Sequence, residues 1–148
     1  MVRLAKEGDE AALERLNAAF NGEGETTLEA IRDCIRRNRQ EVVVVDEENG
    51  ALAGFVCVQL KRSFCYGGCT AEITEVFVAP KHRRKGIAGG MIAFAEDYCA
   101  KTYSVTDFSL LTGADNQIAQ AVYEKLGYQT DGEIHLSKRI HKPALPAD

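Results

Sequence analysis

Val76-Phe77-Val78-Ala79-Pro80-Lys81-His82-Arg83-Arg84-Lys85-Gly86-Ile87-Ala88-Gly89-Gly90 runs from an apolar stretch through a basic, glycine-containing turn into a second apolar-periodic segment. Pro80 stops the strand that ends at Val78, because a proline nitrogen has no hydrogen to give to a ladder. Beyond the turn, Ile87, Met91, Phe94, Ala95 and Tyr98 share one helical face, which predicts a helix over 86–101. A helix start presents unpaired N–H groups and the positive end of its dipole. Behind such a turn those groups can cradle a phosphate. Gly86, Gly89 and Gly90 let a ligand come close to the backbone, since no Cβ intervenes. Arg83, Arg84 and Lys85 supply outer positive charge. The bland alternative is a strand–helix connection with solvated basic residues, and glycine content alone does not defeat it. A Walker loop would end in Gly-Lys-Ser/Thr, and a dinucleotide fold needs Gly-x-Gly-x-x-Gly after its first strand. Neither pattern is present.

On the N-terminal side of this segment, Thr70 to Val78 alternates as a long strand. Val42 to Val45 are four β-branched residues in a row and suit a buried strand. Asn49-Gly50 is a hairpin turn, with Ala51 to Leu60 as the return strand. Earlier still, Val2-Arg3-Leu4 suits a short strand. Asp9 is placed to cap a helix bearing Leu13, Leu16 and Phe20. Thr26-Thr27-Leu28-Glu29 spells a capping box for a second helix with Leu28, Ile31 and Ile35 on one side. On the C-terminal side, Asp107 to Leu111 reads as a strand. Asn116 to Leu126 reads as a helix stopped by Gly127. Tyr128 to Thr130 and Glu133 to Lys138 read as two closing strands. The order β-α-α-β-β-β-α-β-α-β-β describes one mixed α/β domain over residues 1–140, with a frayed tail at 141–148.

Bulk properties narrow the function classes. Apolar residues make up 45% and charged residues 27% of the chain, an ordinary globular balance. A net charge of -4 gives no reason to expect nonspecific nucleic-acid binding. No apolar run reaches membrane-spanning length and no signal-peptide h-region is evident, so a cytoplasmic location is expected, with no membrane partner. The five cysteines, Cys34, Cys57, Cys65, Cys69 and Cys99, are odd in number and irregular in spacing, which predicts free thiols. No second pair of Cys or His completes a metal site with Cys65 and Cys69, so no metal is expected.

Arg83-x-x-Gly86-x-Ala88, in this strand–turn–helix setting, resembles the Gln/Arg-x-x-Gly-x-Gly/Ala signature of the GNAT superfamily of acyltransferases. Asn116, Ala119 and Val122-Tyr123-Glu124-Lys125-Leu126-Gly127-Tyr128 resemble the family's Asn-x-x-Ala-x-x-x-Tyr-x-x-x-Gly-Tyr/Phe element. The likeness covers nearly the whole chain and is strongest from Thr70 to Tyr128. It implies a central mixed, mostly antiparallel sheet flanked by helices. It further implies an N-acetyltransferase that moves acetyl from acetyl-coenzyme A to a primary amine. By position, the backbone of Val76, Phe77 and Val78 would pair with the pantetheine arm. The turn Arg83-Arg84-Lys85-Gly86-Ile87-Ala88, with Gly89, would hold the pyrophosphate. Asn116 would contact the pantetheine or phosphate side, and Tyr123 would lie near the coenzyme sulfur.

That reaction needs an amine stripped of its proton, donors for an oxyanion, and a proton for the departing thiolate. Tyr123 is the candidate donor to sulfur. Glu72 and Glu75 are the candidate bases, with Glu72 ranked first. On a regular strand the two would face opposite sides, whereas a bulge would shift that alternation. Base catalysis through ordered water is the other route. His82, His135 and His141 read as surface residues, and no cysteine matches an acyl-enzyme nucleophile. Glu23 and Glu25, in the loop between the first two helices, favour a small cationic acceptor, aminoglycoside-like or polyamine-like. Protein N-termini, lysines, and a noncatalytic acyl-coenzyme A sensor stay open. The sequence is compatible with a homodimer and does not require one.

Overall fold

The β-branched run Val42–Val45 is buried from both sides. Val42 and Val44 join one apolar cluster, and Val45 joins another on the opposite face. The strand that carries them is an interior one of the sheet in the computed structural model, which describes residues 1–141. The elements are β1 (Val2–Leu4), α1 (Glu10–Asn21), α2 (Leu28–Arg37), β2 (Glu41–Glu48), β3 (Ala51–Arg62), β4 (Cys69–Val78), α3 (Ile87–Tyr103), β5 (Val105–Leu110) and α4 (Gln117–Lys125). A 3-10 turn, Pro80–His82, lies between β4 and α3. The five-stranded sheet has the order β1-β2-β3-β4-β5, antiparallel except for the parallel pair β4–β5.

Helix α3 covers one face of this sheet. Ile87, Met91, Ile92, Ala95 and Cys99 pack there against Val44, Val56, Val58 and Ile73. Helices α1 and α2 cover the other face, where Leu13, Leu16, Ile31 and Ile35 meet Val45, Phe55 and Phe77. Gly54 sits where β3 crosses under α3, and a Cβ on it would lie 2.3 Å from the Phe77 carbonyl oxygen. Only glycine lets the two strands lie this close.

Local signals act at several ends. α2 is capped one residue later than the Thr26–Glu29 box expected: the helix starts at Leu28, and Thr27 accepts from the Ala30 N–H at 3.1 Å. Asn49 and Gly50 both take positive φ (52° and 80°), the conformation of a two-residue hairpin. Asp9 differs from its expected role. Its backbone is already helical, at φ -83° and ψ -9°, and its side chain makes no cap bond. The carboxylate instead receives Arg3 at 2.8 and 3.0 Å and the Lys6 N–H at 2.8 Å, tying β1 to the start of α1.

The two closing strands expected at 128–130 and 133–138 do not form, and residues 128–141 take no regular structure. The alternation of Ile134 and Leu136 suits a strand. A strand persists, however, when one face is buried, and these side chains stay 82% and 87% exposed. The sheet therefore ends at β5. The turn between them does form, with the Glu133 N–H bonded to the Asp131 side chain at 3.0 Å. From residue 142 onward the expected frayed tail lies outside the described residues. Among the described residues the five cysteines are free thiols, and no helix is long and apolar enough to cross a membrane.

Candidate active site

β4 and β5 pair from Cys69↔Val105 to Ile73↔Leu110 and no further. β4 continues to Val78, paired on its other edge with β3. The cause of the divergence is legible in the β3–β4 register. Ile73 opposes Val58 and Glu75 opposes Cys57, so Thr74 is one residue too many. This is a β-bulge, which bends its strand and raises the local twist. The Thr74 hydroxyl bonds to the Cys57 carbonyl at 3.4 Å and braces it. Past the bulge, the β5-side edge of β4 has no strand beside it among the described residues, and alternate N–H and C=O groups from Glu75 to Val78 face that opening.

A cavity of about 220 Å³ fills the wedge. β4 lines it with Ile73, Thr74, Glu75 and Val76, the end of β5 with Leu110 to Thr112, α4 with Asn116, Ala119 and Tyr123, and α1 with Phe20. Four expected site residues thus meet here: Glu75, Val76, Asn116 and Tyr123. Phe77 contributes no side chain to the cavity. Its ring is buried, stacked on Phe20 at 5.1 Å.

The bulge also places the two glutamates. Glu72 opposes Gln59 and Glu75 opposes Cys57, and Gln59 and Cys57 are two apart on β3, so both carboxylates face α1 and α2. Glu72 nevertheless lies outside the cavity lining and is paired with Lys61 at 2.5 Å. Among the described residues Glu75 has no such cation. Burial, and then the negative charge of Glu41, raise its pKa above the usual glutamate value. Glu41 itself is held by Gln59 at 2.7 Å and by the Cys34 thiol at 3.3 Å. Across the cavity, burial raises the Tyr123 phenol. Asn116 caps α4, its side-chain oxygen accepting from the Ala119 N–H at 3.1 Å. The amide nitrogen of Asn116, and the second lone pair of that oxygen, stay open to a ligand.

The basic turn lies beyond the end of β4. Arg83 folds back, its Nε 2.9 Å from the Val78 carbonyl and its guanidinium 5.7 Å from the Phe77 ring centre. Arg84 (φ 63°) and Gly86 (φ 74°) are both left-handed. Gly86 starts α3 with no side-chain cap, and space around its Cα is open. The N–H groups of Ile87, Ala88 and Gly89 thus begin the helix uncapped by any side chain, with exposed Arg84 and Lys85 beside them. Ile87 itself is 8% exposed, its side chain turned into the core.

Two contributors escaped the sequence. Phe20 looked like one more apolar residue of α1, and only its place at the end of that stripe hinted at the cavity. Glu41, a charged residue opening a valine run, carried no motif at all. Among the described residues no group of three or more His, Cys, Asp or Glu is placed to hold a metal ion.

The model of the acetyltransferase (GNAT) family matches residues 10–128. An uncharacterized N-acetyltransferase of Bacillus subtilis (strain 168) is 29% identical, across 90% of this chain and 93% of the relative. An aminoglycoside N(6')-acetyltransferase type 1 of Acinetobacter baumannii is 36% identical over 71 residues, 47% of this chain and 48% of that protein. Among solved structures, an aminoglycoside acetyltransferase from an uncultured soil metagenomic sample, in complex with trehalose, superposes with a TM-score of 0.82. It covers 96% of both chains at 14% identity, which speaks for the fold.

Proposed function

The chain belongs to the acetyltransferase (GNAT) family, and from that membership we propose that it moves acetyl from acetyl-coenzyme A to a primary amine of a small cationic acceptor by direct attack. The observation that carries this reading is the unpaired edge of β4 beside a cavity lined by Glu75 and Tyr123.

The chain's own groups fit the coenzyme. The open edge at Val76, Phe77 and Val78 suits an amide-bearing arm, and the uncapped start of α3 at Gly86 suits a pyrophosphate. Ile87, Ala88 and Gly89 would donate backbone N–H groups there, with Arg84 and Lys85 adding charge. Arg83 would act chiefly by bracing Val78 and Phe77. The amide nitrogen of Asn116 would donate to the arm. When bound, the coenzyme supplies a thioester carbonyl open to attack.

Glu75 accepts the amine proton in this reading. A raised pKa makes it a stronger base than an ordinary glutamate, and its place in the cavity lining supports it over Glu72. Glu72, bound to Lys61, steadies the strand. A backbone N–H at Val76 or Phe77 serves the oxyanion. The new C–N bond would form first and give that oxyanion; its collapse would break the C–S bond, with Tyr123 donating to the sulfur that leaves. Its raised pKa keeps the phenol protonated throughout neutral pH.

The acceptor class rests on the partial likeness to an aminoglycoside acetyltransferase and on the acidic groups Glu41 and Glu75 on one face of the sheet. We place the activity in a single domain over 1–140, in the cytoplasm. Free-thiol release from acetyl-coenzyme A, measured against aminoglycosides, polyamines and peptides, tests the reading. Release that depends on a small polyamine or aminoglycoside is expected. Release with peptides alone moves the acceptor class to proteins. Coenzyme affinity with no acceptor-dependent release makes the chain a sensor.

A further inference from the structure

We propose that Tyr128 and Glu96 are positioning residues that aim Tyr123 into the cavity, an inference that rests on the donor role of Tyr123 given above. α4 is weakly seated. None of its residues is buried, Ile118 is 83% exposed, and Val122 is 37% exposed. The Tyr123 ring is held by its packing, against Tyr128 and the cluster under α3.

Tyr128 supplies that packing in two ways. The chain leaves α4 through a Schellman turn with Gly127 left-handed at φ 97°. In it the Tyr128 N–H bonds to the Tyr123 carbonyl and the Gly127 N–H to the Glu124 carbonyl, both at 3.0 Å. The Tyr128 ring then stands edge-on to the Tyr123 ring, centroids 6.5 Å apart at 70°. A third contact fixes Tyr128 itself: its hydroxyl donates to Glu96 on α3 at 2.7 Å. A charge-assisted bond of this kind is among the stronger ones a side chain makes. α3 is the best-packed helix of the fold, with five buried residues. The bond therefore transfers the rigidity of α3 through Tyr128 to a tyrosine on a helix that has little of its own.

The test combines single-turnover rates, with the amine of highest turnover in the thiol-release panel, and NMR of ring-labelled tyrosines. Tyr128→Phe keeps the ring and removes the bond; Glu96→Ala removes it from the other side; Glu96→Gln still accepts. Tyr128→Phe and Glu96→Ala should each slow acetyl transfer by roughly 3- to 10-fold, the reach of one hydrogen bond, with coenzyme affinity unchanged. Glu96→Gln should recover most of the rate. In a Tyr123→Phe background the same changes should cost nothing more, since they act through Tyr123. The Tyr123 ring resonances should shift and broaden in Tyr128→Phe and Glu96→Ala, while those of exposed Tyr66 stay put. An equal loss in the Tyr123→Phe background, or unmoved Tyr123 resonances, overturns the proposal. A Tyr123→Phe protein with full rate instead removes the donor role itself, and the two failures are thereby told apart.

Discussion

Glu75 and Tyr123 face one small cavity with both of their acid–base equilibria moved upward, and burial is the leading cause for each. For Glu75 the sign has two consequences. As a base it is inactive when protonated, so the acid limb of kcat/KM should lie above the ordinary glutamate range. Glu75→Gln should remove that limb and lower the rate most below the amine's pKa, with partial rescue at high pH. Glu72→Gln should leave the limb in place, and the reverse result would return Glu72 to first rank. The second consequence concerns stability. A folded pKa above the unfolded one stabilises fully below the unfolded value, and the contribution is lost as pH rises through the folded value. Ionised Glu75 is thus a burden on the fold at neutral pH. Glu75→Gln should melt no lower than the parent at pH 7 while losing activity, a pairing that thermal denaturation beside the rate assay will read. Tyr123→Phe should bind acetyl-coenzyme A as before and turn over about 10- to 1000-fold more slowly, measured before product release can mask the step.

The elements that hold these residues depend on a few backbone features. Gly86 opens α3 in the left-handed region, with clear space around it. Gly86→Asp would put a negative charge beside the uncapped N–H groups, while Gly86→Ala carries the same backbone strain without the charge. Calorimetric titration should show much weaker acetyl-coenzyme A binding for Gly86→Asp than for Gly86→Ala; equal affinities would remove the turn from the coenzyme site. Gly54 presents the opposite situation, a Cβ blocked by the Phe77 carbonyl at 2.3 Å. Gly54→Ala should push β4 away from β3 and cost about 1–3 kcal/mol in denaturant unfolding. The displaced edge is the one proposed to pair with the coenzyme, so affinity should fall with it. A neutral Gly54→Ala protein would mean that β3 and β4 can part at this point without cost.

Across the molecule, what could be read along the chain is what neighbours in sequence decide. The apolar stripe of α3, the Asn49-Gly50 hairpin and the basic turn at 83–88 each depend on residues within a few positions of one another, and each was legible. The mixed sheet flanked by helices followed from their order, together with the family resemblance. Cross-strand and cross-helix relations were beyond that reach. The side on which Glu72 and Glu75 lie depends on one extra residue, Thr74, measured against a strand some sixteen positions earlier, at Cys57 and Val58. Lys61 claims Glu72, Glu41 perturbs Glu75, and Glu96 holds Tyr128 only because distant segments fold side by side. The closing strands misled for the same reason: alternation at Ile134 and Leu136 is a local property, whereas burial of one face is supplied by the rest of the fold and is absent there. Local pattern sets which conformation a segment prefers, because its torsions and first hydrogen bonds lie within the segment. Which charges meet, and which strand edge stays open, is set by register and packing between segments, and those exist only once the chain has closed on itself.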